Sequence, residues 1–246
     1  MQSNKLNIGL IGYGKMGKTI EKLAASKGHN IILRISSSNA LELNAKNLKS
    51  LDVAIEFTNP DAAPKNLEIL AENKIPTVCG STAWLHDYDR ICNLYQENQT
   101  PFLYASNFSI GVNIFFKLNR YLAQLMNVYS AYDVNMLEVH HTEKKDAPSG
   151  TAVTLAETVI TTLDRKEKWV NDQSTENKNL DIISERKADV KGTHVINYTS
   201  QIDDISIAHI AHSRDGFASG ALLASEWIQN KKGIFSFEDV MDSKNI

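Results

Sequence analysis

Apolar positions follow two rhythms along this chain. Through the first hundred residues, short compact apolar runs alternate with longer segments whose apolar residues recur every three or four positions. LNIGLI (6–11) is compact, whereas KTIEKLAASKG spaces Ile20, Leu23 and Ala24 as a helix does, with Gly28 placed to stop it. NIILRI (30–35) and DVAIEF (52–57) read as a second and a third strand, and 60–73 returns to helical spacing. IPTVC and PFLYA complete a set of short β-branched and aromatic runs bounded by Pro, Gly and Asn. Buried apolar strands alternating with helices predict a parallel sheet covered on both faces.

After Asn107 the rhythm changes. Residues 109–126 predict a helix, YDVNMLEVHH a strand, and 151–163 another helix. The stretch 165–179 is charged and Asn-rich and reads mainly as a loop. DIISERK, HVINYTS and DISIAHIAH then alternate partially, with no long helix between them, which predicts a mixed or antiparallel sheet. The final helical run, FASGALLASEWIQN, is compatible with either half. The division expected is a domain over 1–108, completed by 216–246, and a second over 109–215.

Composition narrows the function classes. The 246 residues are 42% hydrophobic with a formal net charge of −3, which suits a folded protein and argues against general nucleic-acid binding. Cys79 and Cys92 stand at no metal-ligand spacing and suit a reducing cytoplasm, and no metal site is expected. The first apolar run is too short for a secretory leader or a membrane span.

Two stretches carry chemistry. Gly12-Tyr13-Gly14-Lys15-Met16-Gly17 fits G-x-G-x-x-G between a predicted strand and a predicted helix. There the first glycine allows a tight turn, the second a close approach to a pyrophosphate, and the third close helix–strand packing. A surface turn can carry the same letters; the flanking strand and helix favour a dinucleotide. The acid that usually follows the second strand and binds the ribose is missing, and Ser36-Ser37-Ser38-Asn39 stands there instead. That loop is either a plain polar turn or a hydroxyl-rich pocket tolerant of a 2′-phosphate.

The second stretch, HHTEKKDAPSGTA, packs His140, His141, Lys144 and Lys145 into six residues before Pro148-Ser149-Gly150-Thr151 opens a helix. Cationic side chains beside a helix start point to a bound anion. Adjacent strand residues face opposite ways, so His140 and His141 should have different tasks. Taken alone, a histidine pair also fits a structural contact or an adventitious metal ligand.

From Glu138 to Ala152 the chain resembles the E-x-H-H-x-x-K-x-D-A-P-S-G-T-A signature of the 4-hydroxy-tetrahydrodipicolinate (dihydrodipicolinate) reductase family. SNFSIGVN (106–113) looks like a second signature of that family, and EFTNP, GSTAW and HSRDGFASGA resemble weaker segments. Departures are Ser81 and Ala83 in GSTAW, and Arg186-Lys187-Ala188 in place of Arg-x-Gly, which bears on the local turn.

The resemblance implies an α/β protein with a Rossmann-type doubly wound parallel sheet and a second α+β domain whose sheet is mixed or antiparallel. It implies hydride transfer from NADPH or NADH to a small cyclic dicarboxylate, in lysine and diaminopimelate biosynthesis. His140 would be the general acid and Lys144 a proton donor or electrostatic partner, with His141, Gly150 and Thr151 as substrate contacts. Gly12, Tyr13, Gly14, Lys15, Met16, Ser36, Phe57, Thr58, Gly80, Ser81, Thr82, Ser106, Asn107 and Phe108 would hold the cofactor. A homotetramer closed through the second sheet is also implied, with no nucleic-acid or membrane partner. His194, His209 and His212 read as strand or interface residues, one of them on a pocket rim. The competing readings are another two-domain NAD(P)-dependent reductase and a non-catalytic nucleotide sensor.

Overall fold

The computed structural model describes residues 5–213 and 215–243. It divides into two units, 1–110 with 215–246 and 111–214.

The first unit is built on six parallel strands: β1 (Asn7–Ile11), β2 (Asn30–Ile35), β3 (Val53–Glu56), β4 (Thr77–Cys79), β5 (Phe102–Tyr104) and, from the end of the chain, β11 (Ile234–Ser236). Their order in the sheet is β11-β5-β4-β3-β1-β2. Helices α1 (Lys15–Ser26), α3 (Ala63–Glu72), α4 (Tyr88–Glu97), α7 (Asp215–Trp227) and α8 (Phe237–Asp242) pack around it, and α2 (Ala45–Leu48) is a single turn. Alternation along the strands feeds two cores. Ile8, Leu10, Val53, Ile55 and Leu103 meet Ile20 of α1 and Leu222 of α7. Ile11, Ala54, Cys79 and Phe102 meet Leu67 of α3 and Tyr95 of α4. The sheet is thus covered on both faces, as a parallel sheet must be.

Buried His29 anchors α7. Its Nδ1 accepts the Leu6 N–H at 3.2 Å, and its Nε2 meets Glu226 at 3.0 Å. FASGALLASEWIQN therefore belongs to the first unit. Gly220 shows the closeness of that packing, since a Cβ there would lie 1.7 Å from the Phe108 carbonyl oxygen. The turns after β1 and β3 meet where the strand order reverses, which is where doubly wound sheets bind ligands.

The second unit carries a five-stranded mixed sheet in the order β10-β9-β6-β8-β7. Its strands are β6 (Asp133–His140), β7 (Lys168–Val170), β8 (Asn179–Arg186), β9 (Thr193–Thr199) and β10 (Asp204–Ile210). The β6–β8 and β7–β8 pairs are parallel, and the β6–β9 and β9–β10 pairs antiparallel. Helices α5 (Ile110–Met126) and α6 (Gly150–Thr162) supply Phe115, Met126, Ala152, Leu155 and Val159 against Val134, Met136, Leu180, Ile182, Ile196 and Tyr198. These sheet residues all lie on one face by alternation.

Part of 165–179 is strand rather than loop. Its β7 is held by buried Lys166, whose Nζ donates to the carbonyls of Asn177 (2.9 Å) and Asn179 (2.6 Å) and pairs with Asp133 at 2.7 Å. No apolar periodicity announces a strand fixed by one lysine.

Candidate active site

In the first unit, β1 runs straight into the glycine loop. Gly12 has φ +103°, and a Cβ there would fall 2.2 Å from the Phe57 carbonyl oxygen, so only glycine fits. At Gly17 a Cβ would lie 2.6 Å from the Gly12 carbonyl oxygen, which is the close packing of helix onto turn. Gly14 differs: nothing lies within 4 Å of a Cβ built there, and as N-cap of α1 it has no side-chain cap. Free N–H groups at an open helix start are what a pyrophosphate takes up. The loop thus fits a dinucleotide. Lys15 beside it is exposed, and Tyr13 and Met16 are half-buried.

Around this loop, Arg34 Nε donates to Glu21 at 2.8 Å, the Tyr13 hydroxyl also donates to Glu21, and the guanidinium sits 5.9 Å from the Tyr13 ring centre. The N–H and hydroxyl of Ser36 both donate to Asn39 Oδ1, at 2.8 and 3.1 Å, while Asn39 Nδ2 donates to Glu42 at 3.0 Å. The serine loop is thus internally bonded, with a carboxylate at its edge.

Phe57 and Thr58 follow β3, and Gly80 to Thr82 follow β4. A Cβ on Gly80 would lie 2.2 Å from the Phe57 ring, and that ring sits 5.8 Å from Phe108. Ser106 is exposed, and Asn107 Oδ1 accepts the Ser109 N–H at 2.9 Å. Phe108 is 1% exposed, and its ring packs on Phe237.

Sequence reasoning missed Glu56, a fully buried carboxylate. It accepts the Thr58 N–H at 3.1 Å, the Thr58 hydroxyl and the Cys79 thiol (3.3 Å), tying the turns after β3 and β4 together. Burial pushes the Cys79 thiol well up, so it stays protonated.

In the second unit, the helix-covered face of the sheet turns polar at the C-terminal end of β6. Val134 and Met136 are core, while Glu138 and His140, next on the same face, are buried polar groups. His140 Nδ1 lies 2.8 Å from Glu138 Oε2, an ion contact off the ideal hydrogen-bond axis. The ring of His194, opposite Glu138 on β9, stands 5.1 Å from that of His140, and its Nε2 shares a 3.1 Å hydrogen bond with Ser149 Oγ. Burial, then the charge of His140, pushes His194 down to about 4, so it is neutral near pH 7.

Glu138 is held well below the usual carboxylate range. Burial opposes this, but the polar groups of His140, Ser149 and Ser184 around it favour the charged form and outweigh the burial. Arg186 Nη2 reaches Glu138 Oε1 at 3.1 Å and also donates to the Asp146 carbonyl at 2.6 Å. Sequence reading assigned His194 to a strand or interface and Arg186 to a turn. Both line this cluster. Strand register brings them here: Glu138 pairs with His194 and His140 with Arg186.

The loop after β6 holds Lys144, whose Nζ meets Asp146 and whose N–H donates to the His141 carbonyl at 3.1 Å. Ser149 caps α6 by accepting the Ala152 N–H at 3.2 Å, and Gly150 is exposed with nothing within 4 Å of a Cβ. Thr151 is half-buried beside it. His141 points elsewhere than His140. With Glu143, Asp189, Lys191 and His212 it lines an open cavity of about 490 Å³.

Glu138, His140 and His194 present three ligand atoms within 4.8 Å of one another. Two ligands on one zinc ion, each about 2.1 Å from it, would stand roughly 3.4 Å apart. The 2.8 Å Glu138–His140 approach is closer than that, and the Arg186 guanidinium already neutralises Glu138. Proton chemistry suits the cluster better than a cation.

The comparisons with known proteins agree along the chain. Residues 6–108 match the family model described as "Dihydrodipicolinate reductase, N-terminus", and 111–241 that described as "Dihydrodipicolinate reductase, C-terminus". A 4-hydroxy-tetrahydrodipicolinate reductase of Christiangramia forsetii is 42% identical, covering 96% of this chain and 98% of that protein. One from Syntrophus aciditrophicus is 37% identical over 77% of this chain and 73% of that protein. A dipicolinate-bound dihydrodipicolinate reductase structure from Paenisporosarcina sp. TG-14 matches with a TM-score of 0.75 at 20% identity, covering 96% of this chain and 99% of that one, and so shares the fold.

Proposed function

This chain belongs to the dihydrodipicolinate reductase family, and from that premise we propose that it reduces 4-hydroxy-tetrahydrodipicolinate to tetrahydrodipicolinate with NADPH or NADH, in lysine and diaminopimelate biosynthesis. The first unit holds the cofactor; the second holds the substrate and carries assembly. The observation that carries this reading is the Glu138–His140–His194 cluster beside Lys144 and the open start of α6. Binding a nucleotide alone has no use for that arrangement.

Bound NADPH or NADH supplies a hydride; the substrate's hydroxyl leaves as water, and one proton is consumed. Negative charge arrives with the hydride, and a positioned acid that supplies the proton is worth about 10² to 10⁴-fold. His140 is that acid, and Lys144 is the electrostatic partner of the developing charge. The N–H groups of Gly150 and Thr151 at the start of α6 take one carboxylate. His141, on the cavity, takes part in holding the other.

Assembly follows from the sheet face turned away from α5 and α6. Across it, Ile183, Leu137, Val195 and Ala208 pair into one aliphatic row. The next row is polar: Asn197 bonds Asn135 at 3.1 Å and Ser206 at 2.7 Å. A striped, partly exposed sheet face supports closure against other copies, and we assign the homotetramer to contacts through this sheet. Among the described residues no helix is long and apolar enough to cross a membrane. The two free cysteines suit the cytoplasm, where we place the enzyme.

The direct test is a coupled assay with freshly generated 4-hydroxy-tetrahydrodipicolinate. NADPH or NADH should be oxidised only when substrate is present. No turnover with either cofactor would overturn the reading.

A further inference from the structure

Glu138 is a carboxylate with no exposed surface at the end of a core strand, and burying such a charge is costly unless it is held on both sides. Here each oxygen has a basic neighbour: Oε1 accepts from Arg186 at 3.1 Å, and Oε2 lies 2.8 Å from His140 Nδ1, off the hydrogen-bond axis. We propose that Glu138, itself held by Arg186, is the positioning residue that keeps the His140 ring oriented for its role as acid.

The ring geometry shows how. With Nδ1 turned to Glu138, Nε2 is the nitrogen left to meet substrate, and it faces Gly192, where a Cβ would stand 3.2 Å away. A carboxylate behind an imidazole fixes which nitrogen reacts and stabilises the charged ring. Arg186 adds a mechanical link. Besides Glu138, it binds the carbonyls of Glu185 (2.8 Å) and Asp146 (2.6 Å), so the loop bearing Lys144 is tied to the support of His140.

The other groups around His140 leave Glu138 as its counter-charge. His194 faces it from β9 and is neutral near pH 7 through burial, with His209 of β10 acting on His194 in turn. Lys144 is paired to Asp146, Arg186 of β8 is spent on Glu138, and Lys191 flanks Gly192. Every remaining cation nearby disfavours a protonated ring. Glu138, 2.8 Å away, is the carboxylate that opposes them.

This inference rests on His140 being the acid, and the test separates the two claims. The full-length enzyme with cofactor and fresh substrate is compared as wild type, Glu138→Gln, Glu138→Asp and Arg186→Met. Glu138→Gln should lose about 10- to 100-fold in kcat, with the substrate KM changed far less. The alkaline limb of its kcat/KM profile should move about one pH unit or more to lower pH, since removing an opposite charge at this distance disfavours the protonated ring. Glu138→Asp should recover part of both effects. Arg186→Met removes a cation instead and should move the limb to higher pH.

A limb that stays put in both Glu138→Gln and Arg186→Met overturns the inference even if kcat falls, because loosened packing slows turnover without moving a titration. If Glu138→Gln does not fold, the direction in Arg186→Met decides. Should wild type itself fail to turn over, His140 loses its role as acid. The support claim is then read from histidine NMR titration of the free variants, where unchanged His140 behaviour overturns it.

Discussion

Lys144 Nζ lies 2.8 and 2.7 Å from the two carboxylate oxygens of Asp146, two positions along the same loop. The lysine charge holds the Asp146 carboxyl below its usual range, and the pair fixes where that charge sits. Lys144→Ala should lower kcat and kcat/KM together by about 10² or more, as loss of an interaction made in the transition state does. Cofactor affinity, followed by fluorescence titration, should be unchanged. Asp146→Asn should cost less, about tenfold, since it frees the lysine without removing it. Thr151→Val should mainly raise KM. An unaltered kcat in Lys144→Ala would remove the lysine from the mechanism.

Gly12 and Gly14 should respond oppositely to alanine. At Gly12 the new Cβ meets the Phe57 carbonyl in a left-handed backbone, so the fold itself suffers, and Tm should drop. At Gly14 the backbone is extended (φ −90°) and the space is open, so stability should change by no more than about 1 kcal/mol. The same Cβ would occupy the approach of a pyrophosphate, so cofactor Kd should rise at least about tenfold. Thermal melts and cofactor titration on both variants check this. Unchanged cofactor affinity in Gly14→Ala would move the phosphates elsewhere.

Cofactor preference should be mild. Arg34 is the cation nearest the end of β2, and Glu21 already neutralises it; Glu42 adds a second carboxylate through Asn39. A 2′-phosphate therefore finds hydroxyls and no free arginine fork, which is a weaker site than a bidentate one. We expect kcat/KM for NADPH to equal or exceed that for NADH, by less than about tenfold. Ser36→Asp should tilt the ratio toward NADH by like-charge repulsion. A wild type strongly favouring NADH, or a ratio unmoved by the substitution, would show that this loop does not read the phosphate.

His194 should make the second unit acid-sensitive. Its folded value is pushed down to about 4 against an ordinary 6.5. Above the ordinary value both folded and unfolded chains carry it neutral. Between 6.5 and about 4 only the unfolded chain takes up the proton. Stability therefore falls on acidification through that window, by up to about 3 kcal/mol. Urea unfolding at a series of pH values should show the slope, and His194→Gln should flatten it. Equal slopes would mean the histidine is not held neutral.

The aliphatic row on the open sheet face should set assembly. Light scattering at micromolar concentration should give four times the chain mass. Leu137→Lys with Val195→Lys should shift it to smaller species while each unit keeps its far-UV signal. A monomeric wild type would leave that face without the proposed partner.

Much of the fold was readable because local rules and tertiary needs agree. The runs at 6–11, 30–35 and 52–57 are strands in a sheet buried on both faces, where compact apolar runs are the expected pattern. The misses have a common cause. In α4, only Ile91 and Tyr95 are buried, four positions apart in a polar segment, so its pattern is thin. β7 and β11 are three residues each, and β11 becomes a strand only because β5 has a free edge for it.

By itself the sequence determined the glycine turn, since Gly12 and Gly17 are required wherever a strand turns this tightly into a helix. It also determined the family motif from Glu138 to Ala152, because Pro148 to Thr151 there must cap a helix and shape its approach. Tertiary structure alone decided which side chains complete the site. His194 lies 54 residues beyond His140 and Arg186 lies 48 beyond Glu138, so only strand register brings them together. Register depends on how a whole sheet buries one face, and no local window carries that information.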